Sequence, residues 1–169
     1  MKSKNIILVA VFSLFLLSCS KSDDNDPKQD SQFIVHPDSE IQISETDERR
    51  SLEIVAGDKF VFEYTFDDPG EPDLADSGFA HYLYFEIDKN TQDFSFGPDD
   101  FESIKANFRQ SCFCVYTDFR KIKNGKITGV KTGDRSWKVT FDVNTEIEEE
   151  EELVTTIAMK NSGTFRLID

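Results

Sequence analysis

Cysteine, histidine and methionine are scarce: three Cys, two His and two Met in 169 residues. So small a stock of soft and imidazole ligands argues against a metal enzyme. Basic residues are short as well, with 19 Lys and Arg against 33 Asp and Glu for a net charge of −14, and no Lys/Arg cluster stands out along the chain. That balance excludes a nucleic-acid footprint. The signatures G-x-S-x-G, H-E-x-x-H, the P-loop and a C-x-x-C redox motif are all missing, so the expectation is a protein that is not an enzyme and carries no cofactor. What is present is apolar material, 38% of the residues including 16 Phe. That is too much for a disordered acidic chain, and the length suits one domain.

Residues 1–18 form a leader. Lys2 and Lys4 open it, and Ile6 to Leu17 make an apolar run interrupted only by Ser13. About twelve apolar residues are too few for a spanning helix, which needs roughly 20, and fit a signal peptide. The run ends in Leu16-Leu17-Ser18-Cys19, which resembles the lipobox of bacterial lipoproteins. The resemblance implies cleavage before Cys19 and its modification with acyl chains of the palmitate kind. Two or three such chains hold a protein on a bilayer where one does not. Residues 19–32 then read as a disordered, charged tether. Within it, Ser22-Asp23-Asp24-Asn25-Asp26 resembles the acidic export signal of Bacteroidota-type surface lipoproteins. That implies an outer-membrane anchor, with the cell surface favoured over the periplasmic face. Loss of Lys2 and Lys4 with the leader moves the net charge from −14 to −16.

Residues 33–169 read as a single β domain. Phe60, Phe62, Tyr64 and Phe66 alternate with polar residues, as do Trp137, Val139, Phe141 and Val143, the period of half-buried strands. Gly57-Asp58, Asn124-Gly125, Gly133-Asp134 and Asn161-Ser162-Gly163 carry hairpin-turn chemistry. They predict a five-strand meander over 111–168, and Gly129 predicts a bulge. Asp99 with Glu102 has capping-box spacing, and Phe101, Ile104 and Phe108 share one helical face, so one short helix is expected. The predicted fold is an all-β antiparallel sandwich of about 8–10 strands with that helix. An eight-stranded meander barrel is the alternative.

Four groups of residues are candidates for chemistry. Cys19 is the lipidation site. Cys112 and Cys114 flank Phe113 and suggest a disulfide, two packed thiols, a soft-metal pair or a redox pair. Asp67, Asp68, Asp73 and Asp76 lie in an acidic loop that offers oxygen ligands for Ca²⁺, although a solvated connection is the commoner use of such a segment. Tyr82 and Tyr84 share a strand face and offer rings for stacking on a sugar. The functional expectation is a non-enzymatic binding or scaffolding module of the cell envelope. Its partners would be the membrane, through the anchor, and an envelope protein or glycan. The alternative is a carrier of a small ligand or metal that uses a barrel interior or the Cys112/Cys114 pair.

Overall fold

The computed structural model describes residues 30–46, 49–71, 73–74, 77–112, 118–148 and 154–169. Ten strands account for most of them. β1 (Asp30–Glu45) runs out and returns as β2 (Arg50–Ala56) and β3 (Lys59–Asp68). β2 pairs with the far half of β1 and β3 with its near half, so the three strands form one long antiparallel ribbon. The ribbon bends where the β1 register slips between His36 and Ser39. Asp38 sits there at φ 50°, and its carbonyl accepts the Gly57 N–H at 2.9 Å. Gly57-Asp58 is therefore a corner within the returning arm, not the tip of a hairpin. A Cβ on Gly57 would lie 2.7 Å from the Glu40 Cβ, closer than the bend allows.

β4 (Phe79–Asp88), β6 (Asn107–Cys112) and the two-residue β7 (Arg120–Lys121) extend the sheet beyond β3. On the other side of β1 come β10 (Val154–Leu167), β9 (Ser136–Glu148), β8 (Asn124–Gly133) and β5 (Asp93–Phe96). The two wings meet through a parallel contact of β1 with β10 at Ile34 and Val35. The wings fold face to face, as alternation requires of two apolar surfaces. Phe62 stacks on Phe85 and meets Trp137 and Phe165 with ring centroids 5.5 and 5.2 Å apart. Tyr64 meets Phe141 at 4.9 Å. β5 and β7 end the strand path without pairing to each other, so the sheet is open. It is an all-β sandwich made from one folded sheet, and the barrel alternative is set aside.

Several local expectations are corrected. β1 already runs through residues 30–32, the last three of the segment expected to be tether. Residues 98–105 form successive turns and no helix. Asp100, not Asp99, turns its carboxylate back to the Gly97 N–H at 2.9 Å. A segment of two turns cannot sustain itself against tertiary packing. Phe101 and Ile104 are buried as the helical stripe required, while Phe108 is buried from β6. The five-strand meander is also wrong, since β6 and β7 belong to one wing and β8–β9–β10 to the other. Asn124-Gly125 opens β8, already paired with β9, and a Gly125 Cβ would sit 2.2 Å from the Asp142 carbonyl oxygen. Asn161-Ser162-Gly163 lies inside a continuous β10, with the Phe33 ring filling the space of a Gly163 Cβ. Gly129 keeps its register and makes room for the Phe94 ring. Gly133-Asp134 does turn the chain, from β8 into β9.

Trp137 is fully buried, with the Lys131 ammonium 5.2 Å from its ring centroid, and its indole N–H has no acceptor among the described residues. Trp137→Ala is expected to lower stability by about 3–5 kcal/mol, as large aromatic truncations do, while Trp137→Phe costs less because the unpaired N–H leaves with it. Urea unfolding followed by far-UV circular dichroism checks both, and an alanine variant as stable as wild type would contradict this packing.

Candidate binding groove at the ribbon tip

The carboxylate of Glu86 sets the geometry around the ribbon bend. Its side chain is fully buried and accepts three hydrogen-bonding or ionic contacts: Ile41 N–H at 2.7 Å, Lys59 Nζ at 3.0 Å and Lys105 Nζ at 3.3 Å. Lys105 also donates to the Ile41 carbonyl at 2.6 Å. The two polar groups of Ile41 are thus held by side chains where a further strand would have paired. The hydrogen bond to Glu86 raises the Lys59 pKa above its ordinary 10.5, against an opposing effect of burial. Around Ile41 a small second core gathers Val61 and Tyr84, with Leu52, Ile54 and Phe119 packed against it.

Beyond this node the tip of the ribbon opens into a groove. One lobe, of about 310 Å³, is lined by Arg49, Arg50, Arg120, Lys121 and Lys123, among others. A second, of about 290 Å³, shares Arg50, Lys121 and Lys123 and adds Lys105. Buried Asn107 orients Arg50, accepting from its Nε at 3.2 Å while donating to the Lys105 carbonyl at 2.8 Å. The segment after β7 is tied to both wings. Ile122 N–H reaches the Ala106 carbonyl, Lys123 N–H the Asn144 carbonyl, and the Thr145 hydroxyl donates to the Lys121 carbonyl at 2.8 Å. Acidic residues answer part of the charge: Glu45 pairs with Arg50, Asp118 with Arg49 and Glu102 with Lys121. Glu146 lines the first lobe too. Arg120 and Lys123 have no carboxylate within 4.0 Å among the described residues.

None of these cations was singled out from the sequence. The signal was there in two short runs, Arg49-Arg50 and Arg120-Lys121 with Lys123. Seventy residues separate them, and only the ribbon and β7 bring them together.

The residues that were singled out are arranged differently. Tyr84 is 9% exposed, donates to Glu63 Oε1 at 2.9 Å and packs edge-on to Phe119. Burial, then the nearby Glu63 charge, pushes its pKa well above the tyrosine range. Tyr82 is half-buried, and the Arg109 guanidinium lies 5.5 Å from both its ring and that of Phe119. The two tyrosines share a face as expected, with the Tyr84 ring buried and the Tyr82 ring half-buried. Cys112 is disulfide-bonded, which removes its thiolate as a soft-metal ligand. Cys114 and Cys19 lie outside the described residues. In the acidic loop, Asp67 and Asp73 are exposed and Asp68 Oδ1 accepts the Gly70 N–H at 2.9 Å. Ser77 ties the loop to itself, accepting from Glu71 N–H at 2.7 Å and donating to the Leu74 carbonyl at 3.0 Å. Asp76 lies outside the described residues, and among those described no three His, Cys, Asp or Glu side chains gather to hold a metal ion.

Both histidines are engaged. His36 Nε2 lies 2.6 Å from Glu63 Oε2, and that hydrogen bond, helped by Tyr84 and opposed by burial, holds the Glu63 pKa below its ordinary 4.5. The His81 ring lies tilted against Phe79 and Phe108, with centroids 4.8 and 5.4 Å away, and bonds Gln110 at 3.0 Å. Burial lowers its pKa below 6.5, with the Gln110 bond acting the other way. No protein-family model, curated protein or solved structure matches this chain.

The two shifts imply acid lability in two steps. Each folded-state pKa is depressed, so each contribution is present above the unfolded value and lost as pH falls through the folded one. His81 acts below 6.5 and Glu63 below 4.5. Denaturant midpoints measured between pH 8 and 3 are expected to fall in both ranges. His81→Gln should flatten the upper step and Glu63→Gln the lower, and unchanged profiles would contradict the assignment.

Proposed function

We propose that this chain is a non-enzymatic binding module of the bacterial envelope, anchored in the outer membrane by acyl chains on Cys19 and facing the cell surface. The observation that carries the reading is the order of parts: an apolar leader, Leu16-Leu17-Ser18-Cys19, an acidic tether, then a β domain. β1 starts at Asp30, eleven residues after Cys19, and β1's sixteen residues then run roughly 50 Å along their path to the ribbon tip. The tether thus joins the end of the ribbon where Asp30 pairs with Asp67, and the groove lies at the opposite end of β1. A basic groove at the end of the ribbon away from the tether suits capture of a soluble partner.

The carrier alternative loses its main device. An open sheet encloses no barrel lumen, and the space between the wings is filled by Phe62, Trp137 and Phe165.

Replacing the acyl acceptor tests the anchor. Cys19→Ala is expected to move the protein from the membrane pellet to the soluble fraction, since the remaining chain has no other lipid-modified residue in this reading. A variant that still sediments fully with membranes would overturn it.

A further inference from the structure

The groove is cationic in a chain whose net charge is −14. Two of its cations, Arg120 and Lys123, are without a carboxylate partner among the described residues. Lys123 is exposed and Arg120 is half-buried on a strand only two residues long. Arg50, by contrast, is fixed from behind by buried Asn107. Arg50, held by Asn107 and paired with Glu45, thus forms a fixed wall of the opening, and Arg120 and Lys123 stand beside it with no carboxylate partner among the described residues. Guanidinium forks bind carboxylate and sulfate groups with two parallel hydrogen bonds.

We propose that this groove binds an acidic polysaccharide, a chain bearing uronate or sulfate groups, with successive anionic groups meeting Arg120 in one lobe and Lys123 where the two lobes join. The proposal deepens the binding-module reading by naming its ligand class. A single small anion would engage one lobe and leave the other cations unused. An extended peptide is disfavoured, because strand addition needs a long free sheet edge and β7 offers two residues. A nucleic acid, with one charge per about 1.7 Å of duplex axis, is repelled by the acidic bulk more strongly than a chain with one charge per sugar.

The test is titration calorimetry on the mature chain, both lipidated in detergent and as Cys19→Ala, with oligogalacturonate as the probe. Binding is expected at low salt, weakening as salt screens exposed charges, and lost when the same oligomer is fully methyl-esterified. Arg120→Ala with Lys123→Ala is expected to weaken it about tenfold or more, as the loss of two charged contacts does. Lys123→Ala alone, at an exposed side chain, gives a smaller loss without risk to the fold, and Lys160→Ala, which lies outside the groove, changes nothing. No binding, equal binding of the methyl ester or equal affinity in the double variant would overturn the proposal. So would tighter binding of poly-L-glutamate, or inorganic pyrophosphate competing at matching affinity. Binding that persists in Cys19→Ala separates the groove from the anchor, so failure of either assignment is recognised without the other.

Discussion

The buried carboxylate of Glu86 is the constraint around which this fold is arranged. An ionised carboxylate without solvent is costly unless every lone pair finds a donor. Here the donors come from three separate stretches of chain: the Ile41 amide from β1, Lys59 from the start of β3 and Lys105 from the turns after β5. The bend in the ribbon, the left-handed conformation of Lys105 at φ 47° and the compact 98–105 segment all converge on one oxygen pair. Lys59 and Lys105 keep part of their side chains in water, at 30% and 35% exposure, so only the carboxylate bears full desolvation. Removing it would leave an unpaired backbone amide in the second core and two ammonium groups facing each other.

The groove inherits its shape from that node. Lys105 links Glu86 to the floor of the second lobe, and its carbonyl holds the Asn107 amide that positions Arg50. The Arg50 carbonyl in turn accepts from Phe119 N–H, the last residue before β7. Charge placement in this protein is therefore a consequence of how two wings and a bent ribbon meet, and a strongly acidic composition coexists with a locally basic surface. The main core, by contrast, is non-directional aromatic packing of Phe62, Phe85, Phe94, Trp137 and Phe165. It supplies apolar burial, while the polar node supplies the geometry of the tip.

Strand faces were legible in the sequence because alternation is a local property. Phe60, Phe62, Tyr64 and Trp137, Val139, Phe141 line the interior as their period required, and Tyr82 and Tyr84 share the opposite face of β4. Glycines were misread for a physical reason. Glycine in a strand marks either a turn or a close approach by another group, and the approaching group is remote in sequence. Gly129 admits the Phe94 ring, Gly163 the Phe33 ring and Gly125 the Asp142 backbone. The same non-locality hid the candidate site, whose cations occupy two short runs that look unremarkable apart. Glu86 gave no signal either, since an acidic residue at a polar position of an alternating strand reads as solvent-facing until β1 folds over it.

The role of Glu86 is tested most directly by amide hydrogen exchange at Ile41, with Phe62 and Trp137 as reference sites in the main core. In wild type, the Ile41 amide should be protected although its acceptor is the Glu86 side chain and not a strand carbonyl. In Glu86→Ala its exchange should accelerate by about tenfold or more, the loss of a charge-assisted hydrogen bond of roughly 1.5–3 kcal/mol, relative to Phe62 and Trp137. Ile41 protection that stays in step with those core sites in Glu86→Ala would contradict the claim that this carboxylate holds the ribbon tip in place.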